Sequence, residues 1–338
     1  MPTPSPNTSH GSPSMSVSNR IARVAIVGTG FVGSTTAYAL LISGTAHEIV
    51  LVDRDKKRAE GHVHDLRDAE VFSHNARVVA GDFSDCCLAD VIILTVGVSQ
   101  STSMRSRLDN LKESAFILKG IVEDVVRQNP CGILLIASNP VDVLTYAAWK
   151  WSGLPASRII GSGTTLDTSR FRRRLAERYG VSPDNVHAYI IGEHGDSQVP
   201  ILSSARIAGM PLEGFCQELA LPYDENAVRK IANDTRTAGF EIIGAKGATY
   251  YGIGAALIRI VGAILQDENA ILTVSSLAPA SMGLGEVSLS LPTIINRSGV
   301  ARVLSIPLNQ AERQALHASA EILKQHIATL DTVKATMA

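Results

Sequence analysis

The sequence predicts an α/β protein, with a doubly wound parallel sheet in the first half and a mixed α+β domain after it. Three observations point there. Short apolar runs alternate with helical stretches between residues 24 and 137. The first run ends in a glycine-rich turn, Gly28-Thr29-Gly30-Phe31-Val32-Gly33. After Gly163 the alternation breaks into helices and strands of mixed spacing. Parallel strands covered on both faces are uniformly apolar, and a crossover helix joins each to the next.

In chain order, Val24-Ala25-Ile26-Val27 is a buried strand. Phe31 to Ile42 reads as a helix, and Ile49 to Val52 as a second strand ending at Asp53. Val78-Val79-Ala80, Val91 to Thr95 and Ile133 to Ala137 supply further strands, with a helix from Asn110 to Asn129. Beyond Gly163, a helix runs from Leu166 to Tyr179, and Ala188-Tyr189-Ile190-Ile191 forms a strand entering a turn. Helices follow at Glu225–Ile243 and Tyr250–Gln266. Thr273-Val274-Ser275, Glu286 to Leu291 and the region of Val303 read as antiparallel strands. Asn309 opens a final helix with Glu312 three residues on, the spacing of a capping box. Leu316, Ala320, Leu323 and Ile327 form its apolar stripe. The expected division is a disordered extension (1–19), a nucleotide-binding domain (20–163) and a substrate domain (164–333).

Composition narrows the class. The 338 residues are 45% hydrophobic, enough for a sizeable core, and the net charge of −1 gives no reason to expect nucleic acid or an anionic membrane as partner. Residues 1–19 are rich in Ser, Pro, Thr and Asn and lack the layout of a signal peptide. No apolar run reaches membrane-spanning length. Cys86, Cys87, Cys131 and Cys216 make no C-x-x-C pair and no metal-ligand spacing, so no metal is expected and a reducing cytoplasm is.

The glycine turn is G-x-G-x-x-G between a strand and a helix. Gly28 permits the tight turn, Gly30 lets the backbone approach a pyrophosphate, and Gly33 lets helix and strand pack closely. The helix N-terminus offers free N–H groups to phosphates. Alone this motif is weak. Asp53, 20 residues after Gly33 at a strand end, strengthens it, because a carboxylate there accepts ribose hydroxyls and repels a 2′-phosphate. The pair reads as a Rossmann site for NAD rather than NADP.

The second constellation is Gly192-Glu193-His194-Gly195-Asp196, one histidine between two glycines. A histidine exchanges protons near neutral pH. Asp167 and Arg170 are three apart and share a helix face. The plainer reading makes them a surface ion pair. The functional reading has Asp167 fix the His194 tautomer and raise its pKa, while Arg170 grips a substrate carboxylate by two parallel bonds. A polar stretch, Val98 to Leu108, follows the strand ending at Thr95 and suits a mobile lid carrying an arginine.

Together these residues resemble the NAD-dependent lactate/malate dehydrogenase family, most closely its lactate branch, over residues 21–330. Five segments match in order: the glycine turn; Ser138-Asn139-Pro140; Gly163-Thr164-Thr165-Leu166-Asp167-Thr168-Ser169-Arg170; Ile191 to Asp196; and Lys246-Gly247-Ala248-Thr249-Tyr250-Tyr251. The resemblance implies an oxidoreductase that interconverts pyruvate and L-lactate, with His194 as acid/base, Asp167 orienting it, and Arg170 binding the carboxylate. It implies Arg107 as the lid arginine that polarises the carbonyl. Asn139 hydrogen-bonds near the substrate and helps hold the nicotinamide, with a cis bond to Pro140. The cofactor lining adds Thr29, Phe31, Val32, Thr95 and Gly97.

The same resemblance assigns substrate choice to Gln100, where malate enzymes carry arginine, and to Thr249, which helps close a small methyl pocket. Neither would pair a second carboxylate, so oxaloacetate would be buried at a cost. One departure stands out: six residues separate Gln100 from Arg107 where the family has five, and the usual Pro-Gly is absent. Arg105 therefore competes with Arg107 for the polarising position; Arg107 is preferred because Arg107-Leu108-Asp109 matches the end of the family's lid. Malate dehydrogenase, or another L-2-hydroxyacid dehydrogenase with altered lid specificity, is the alternative. A non-catalytic NAD-binding protein on the same fold is the reading from a different class. Finally, Arg172 and His187 match positions that bind fructose 1,6-bisphosphate across a subunit interface in bacterial relatives. That implies an allosteric homotetramer; the plainer reading of Arg172 to Arg174 is a solvated helix face.

Overall fold

A computed structural model describes residues 21–74, 76–97 and 107–336, with only the backbone for 107–110 and 331–336. The extension 1–19 and the lid residues Gln100 and Arg105 lie outside the described residues.

Six strands and their crossovers make the first half: β1 (Arg23–Val27), α1 (Phe31–Ser43), β2 (Glu48–Val52), α2 (Lys56–Glu70), β3 (Arg77–Gly81), β4 (Val91–Leu94), α3 (Arg107–Gln128), β5 (Ile133–Ile136), α4 (Val141–Ser152) and β6 (Ile159–Gly161). The strands pair in the order β3-β2-β1-β4-β5-β6, all parallel. Chain direction through the order reverses between β1 and β4, so a crevice opens beyond their carboxyl ends, where Gly28 and Thr95 lie. Every residue of β4 and β5 is buried, which explains why these strands show no polar alternation.

The second half comprises α5 (Thr165–Tyr179), β7 (Val186–Ile191), β8 (Val199–Ile207), β9 (Met210–Pro211), α6 (Leu212–Glu218), α7 (Glu225–Lys246), α8 (Tyr251–Leu265), β10 (Ala270–Leu277), β11 (Ser288–Asn296), β12 (Gly299–Val303) and α9 (Gln310–Thr336). Among the described residues, β7, β8 and β9 form a separate sheet. β10, β11 and β12 instead continue the first sheet antiparallel, joined at Ser275 opposite Gly161, to give nine strands. The physical reason is the apolar edge of β6, whose three residues are all buried and need a partner.

The halves also share their core. Val24, Ile26, Leu40 and Leu41 pack in one cluster with Leu257, Ile260, Val261, Val274 and Ile295. Each such buried side chain contributes about 1.5–3 kcal/mol of transfer free energy. The capping box of α9 is present: Asn309 Oδ1 accepts from Glu312 N at 2.8 Å, and Glu312 Oε2 accepts from Asn309 N at 3.0 Å. Its stripe of Leu316, Ala320, Leu323 and Ile327 is buried.

Candidate active site

The nucleotide end is built by the β1–α1 turn. Gly28 has φ +98°, a left-handed backbone that side chains rarely adopt. A Cβ on Gly33 would stand 1.9 Å from the Gly28 carbonyl oxygen, so only glycine lets α1 seat this close to β1. A Cβ on Gly30 would meet nothing within 4 Å, and no side chain caps α1. The α1 N–H groups therefore face open space, as a pyrophosphate requires. Thr95 ties the crevice shut below: its Oγ1 donates to Gly28 O at 2.7 Å, and its N to Val27 O at 3.0 Å. Gly97 is the last described residue before the lid.

Asp53 directly follows β2, with its side chain only 2% exposed. Thr29 donates to it twice, through N at 2.7 Å and Oγ1 at 2.8 Å. Asp55 N and Arg58 Nη2 donate at 2.9 and 2.7 Å. Burial pushes the Asp53 pKa up, but these bonds, led by the Thr29 N–H and Arg58, outweigh it and hold it down at about 2. Thr29 thus spends both its donors on Asp53. Phe31 is 68% exposed and stacks on Tyr250 with ring centroids 5.2 Å apart; Val32 is half-buried against the core.

The His194 cluster is built where α5 begins, just after β6. Asp167 sits in the first turn of α5, where the helix dipole favours a carboxylate. Its Oδ2 is 2.5 Å from His194 Nδ1, and its Oδ1 accepts from Arg170 Nη1 at 3.1 Å. One buried carboxylate therefore orients both the imidazole and the guanidinium. Nε2 of His194 has no protein partner among the described residues. Burial alone would lower the His194 pKa; the Asp167 charge and hydrogen bond, with help from Asp142, overcome it and raise it from 6.5 to about 9. Asp167 itself is held below the usual carboxylate range, because His194 and Arg170 outweigh its burial.

Threonines fix this geometry. Thr168 Oγ1 accepts from Ile190 N at 3.0 Å and pairs with Thr273 Oγ1 at 2.9 Å. Thr164 Oγ1 donates to Ile190 O at 2.5 Å. These bonds pin the start of α5 to the end of β7, setting Asp167 against His194.

Asn139 follows β5, is exposed, and is joined to Pro140 by a cis peptide bond. Thr249 is half-buried between α7 and α8. A Cβ on Gly252 would lie 3.1 Å from Leu166, beside Asp167, and Tyr250 stacks on Phe31 of the glycine turn. The Thr249 turn is thereby wedged between the nucleotide and catalytic ends. Arg107 is the first residue of α3; of its side chain nothing is described. Arg172 lies on another face of α5, its Nε donating to Ala188 O at 2.9 Å and its guanidinium 5.1 Å from the Tyr189 ring. His187 is exposed nearby on β7.

Two sets of residues escaped the sequence reading. Asp142, in the first turn of α4, is buried, and its Oδ2 accepts from His194 N at 2.7 Å. Burial pushes its pKa up to about 6 against its hydrogen bonds. A carboxylate inside the apolar run from Val141 to Trp149 was the available signal. The second set is a staple from α9: Ser319 Oγ accepts from Glu193 N at 2.9 Å and lies 3.0 Å from Ser197 Oγ. Glu193 Oε2 in turn accepts from Ser197 N and Oγ at 3.1 and 2.5 Å. Nothing in the sequence marks Ser319.

Among the described residues no cluster of His, Cys, Asp and Glu is placed to hold a metal, and no helix is long and apolar enough to cross a membrane.

The comparisons agree with this architecture. Residues 22–161 match the lactate/malate dehydrogenase NAD-binding domain, and 164–333 match the family's alpha/beta C-terminal domain. An L-lactate dehydrogenase of Acetivibrio thermocellus is 46% identical over 311 residues, 92% of this chain and 98% of the relative. A probable L-lactate dehydrogenase of Schizosaccharomyces pombe is 45% identical, covering 91% of this chain and 93% of the relative. The crystal structure of a minor L-lactate dehydrogenase from Enterococcus mundtii superposes with a TM-score of 0.88 at 42% identity, covering 93% of this chain and 98% of that one. With both family domains matched in order along one continuous sheet, this chain belongs to the lactate/malate dehydrogenase family.

Proposed function

We propose that this chain is an NAD-dependent L-lactate dehydrogenase, reducing pyruvate to L-lactate and running the reverse oxidation. The observation that carries the reading is the shared carboxylate of Asp167, which orients the His194 acid/base and the Arg170 guanidinium beside the glycine turn. The names of the relatives support lactate over malate as product.

NADH, when bound along the glycine turn (Gly28 to Gly33), supplies the hydride to C2 of pyruvate. Arg170 holds the pyruvate carboxylate with the N–H groups that Asp167 leaves free. His194, protonated and aligned by Asp167, delivers a proton from Nε2 to the carbonyl oxygen. Arg107, the first residue of α3, is the arginine that polarises that carbonyl in this reading. Asn139 hydrogen-bonds on the substrate side and helps hold the nicotinamide, with Thr95 and Gly97 lining the cofactor. Gln100 and Thr249 shape a pocket for a methyl group and leave a second carboxylate unpaired.

Residues 20–163 carry the cofactor and 164–333 the substrate machinery. The active assembly is a homotetramer working in the cytoplasm, activated by fructose 1,6-bisphosphate held by Arg172 and His187 at a subunit interface. The α5–β7 placement of these two residues supports that pairing.

The test is NADH oxidation followed at 340 nm with pyruvate and oxaloacetate in parallel, each with and without fructose 1,6-bisphosphate. A large preference for pyruvate is expected; a preference for oxaloacetate overturns the assignment. Unchanged rates with the bisphosphate at low pyruvate overturn the regulatory part.

A further inference from the structure

Four residues, Gly247 to Tyr250, link α7 to α8, and Thr249 is one of them. Gly247 turns the chain with φ +80°. Lys246 Nζ lies 3.4 Å from the centroid of the Tyr250 ring and 4.1 Å from that of Tyr251. The Tyr251 ring meets Tyr250 edge-on, with centroids 4.5 Å apart. These contacts fold the linker onto the end of α7. Tyr250 also lies nearly parallel to Phe31, with 5.2 Å between centroids and 19° between planes. Phe31 follows Gly30 of the glycine turn, and Tyr250 follows Thr249. One stack thus joins the neighbours of two functional positions from the two halves of the chain. Phe31 is 68% exposed, so its ring adds little to the core. Further along the same helices the seam is closed by other residues: a Cβ on Gly254 of α8 would stand 3.1 Å from Thr35 Cγ2 of α1. Loss of the stack therefore leaves α8 seated on α1 and frees the linker.

We propose that the Phe31–Tyr250 stack is a positioning contact: it ties the Thr249 wall of the methyl pocket to the glycine turn, and so sets how large a 2-oxo acid the site accepts. The inference rests on Thr249 shaping that pocket, as in the function proposed above. Both rings act through Thr249. With the stack made, the linker is held from both sides, by Lys246 at the end of α7 and by Phe31 at the start of α1. A substrate one methylene longer than pyruvate then meets a wall that does not retreat. Without the stack the linker relaxes. Pyruvate loses contact with the wall, and the longer acid gains room. Discrimination between such homologues depends on how firmly the pocket wall is held, because one methylene is all that distinguishes them.

The experiment measures kcat and KM for pyruvate and for 2-oxobutanoate at saturating NADH. It compares the intact wild-type protein with Phe31→Ala, Tyr250→Ala, the double variant and Tyr250→Phe. Each single alanine variant is expected to raise the pyruvate KM about two- to tenfold, the worth of one aromatic pair, with a smaller change in kcat. Each should also raise the ratio of kcat/KM for 2-oxobutanoate over pyruvate. The double variant should be no worse than either single one, because both remove the same contact. Tyr250→Phe keeps the ring and should restore the wild-type ratio. Tyr250→Leu fills the half-buried site without a ring to stack, and repeats the test should Tyr250→Ala lose its fold. Effects that add in the double variant, or an unchanged substrate ratio in the single variants, overturn the inference and leave the proposed function standing. A wild-type protein that turns over neither acid removes both.

Discussion

Replacing Asp167 with Asn separates what the carboxylate does for proton affinity from what it does for orientation. Its charge and hydrogen bond raise the His194 pKa from 6.5 to about 9, a stabilisation of the imidazolium of about 3 kcal/mol. Without that charge, burial opposes only the weaker pull of Asp142, and the pKa falls back toward the ordinary 6.5. In the proposed mechanism, pyruvate reduction needs His194 protonated. At pH 8.5 a pKa of about 9 leaves roughly three quarters of the imidazole charged, against about 1% for a pKa of 6.5. At pH 5.5 both forms are charged to roughly 90% or more. The ratio of wild-type to Asp167→Asn kcat/KM for pyruvate should therefore grow about 70-fold between pH 5.5 and 8.5. Any deficit remaining at pH 5.5 reports misorientation of the ring and of Arg170. The reverse reaction needs neutral His194, so wild-type lactate oxidation climbs through pH 9 while the variant is already on its plateau. Initial rates across this range, with enzyme saturated in cofactor, decide the matter. A ratio that does not change with pH refutes the argument that Asp167 sets the proton affinity.

The same pair makes stability depend on pH. For a histidine with a raised folded pKa, the stabilisation is fully present below 6.5 and is lost as pH rises through about 9. For Asp167, with its pKa lowered, it is present above the ordinary carboxylate value and lost as acid protonates the folded state. Thermal melts of the unliganded protein should show the wild-type advantage over Asp167→Asn shrinking from pH 6.5 to 9.

Three further outcomes follow from the site. Arg170→Lys loses the fork and the bond to Asp167, which should raise the pyruvate KM and lower kcat/KM about a hundredfold in steady-state assays. Asp142→Asn keeps an acceptor for His194 N and removes a charge that supports the imidazolium. The alkaline limb of pyruvate reduction should shift to lower pH, by less than in Asp167→Asn, in the same rate measurements. Ser319→Ala strands the Glu193 N–H and should cost about 1–3 kcal/mol in denaturant unfolding, with kcat falling more than the KM for pyruvate changes.

The structure matches the sequence reading where geometry is local. Strand, glycine turn and helix follow one another as their spacing predicts, and Asp167 with Arg170 share a helix face whatever surrounds them. The joining of β10 to β6 was missed because edge pairing depends on which strand end is left uncovered, a property of the assembled sheet. Asp142 was passed over because its role depends on a turn 52 residues away that brings His194 N to its carboxylate. Ser319 is an ordinary serine on a helix until α9 packs across the His194 turn.

These long-range contacts explain why the two halves share one core. His194 is held by its backbone to α4 of the first half, by its ring to α5, and through Glu193 and Ser197 to α9. Proton transfer tolerates little error in such a constellation, and side chains placed within about 0.5 Å need supports that do not slide against each other. Two domains joined only by a polar interface would move relative to one another. A sheet that runs unbroken from β3 to β12, with α8 packed beneath it against α1, removes that freedom at the base of the site.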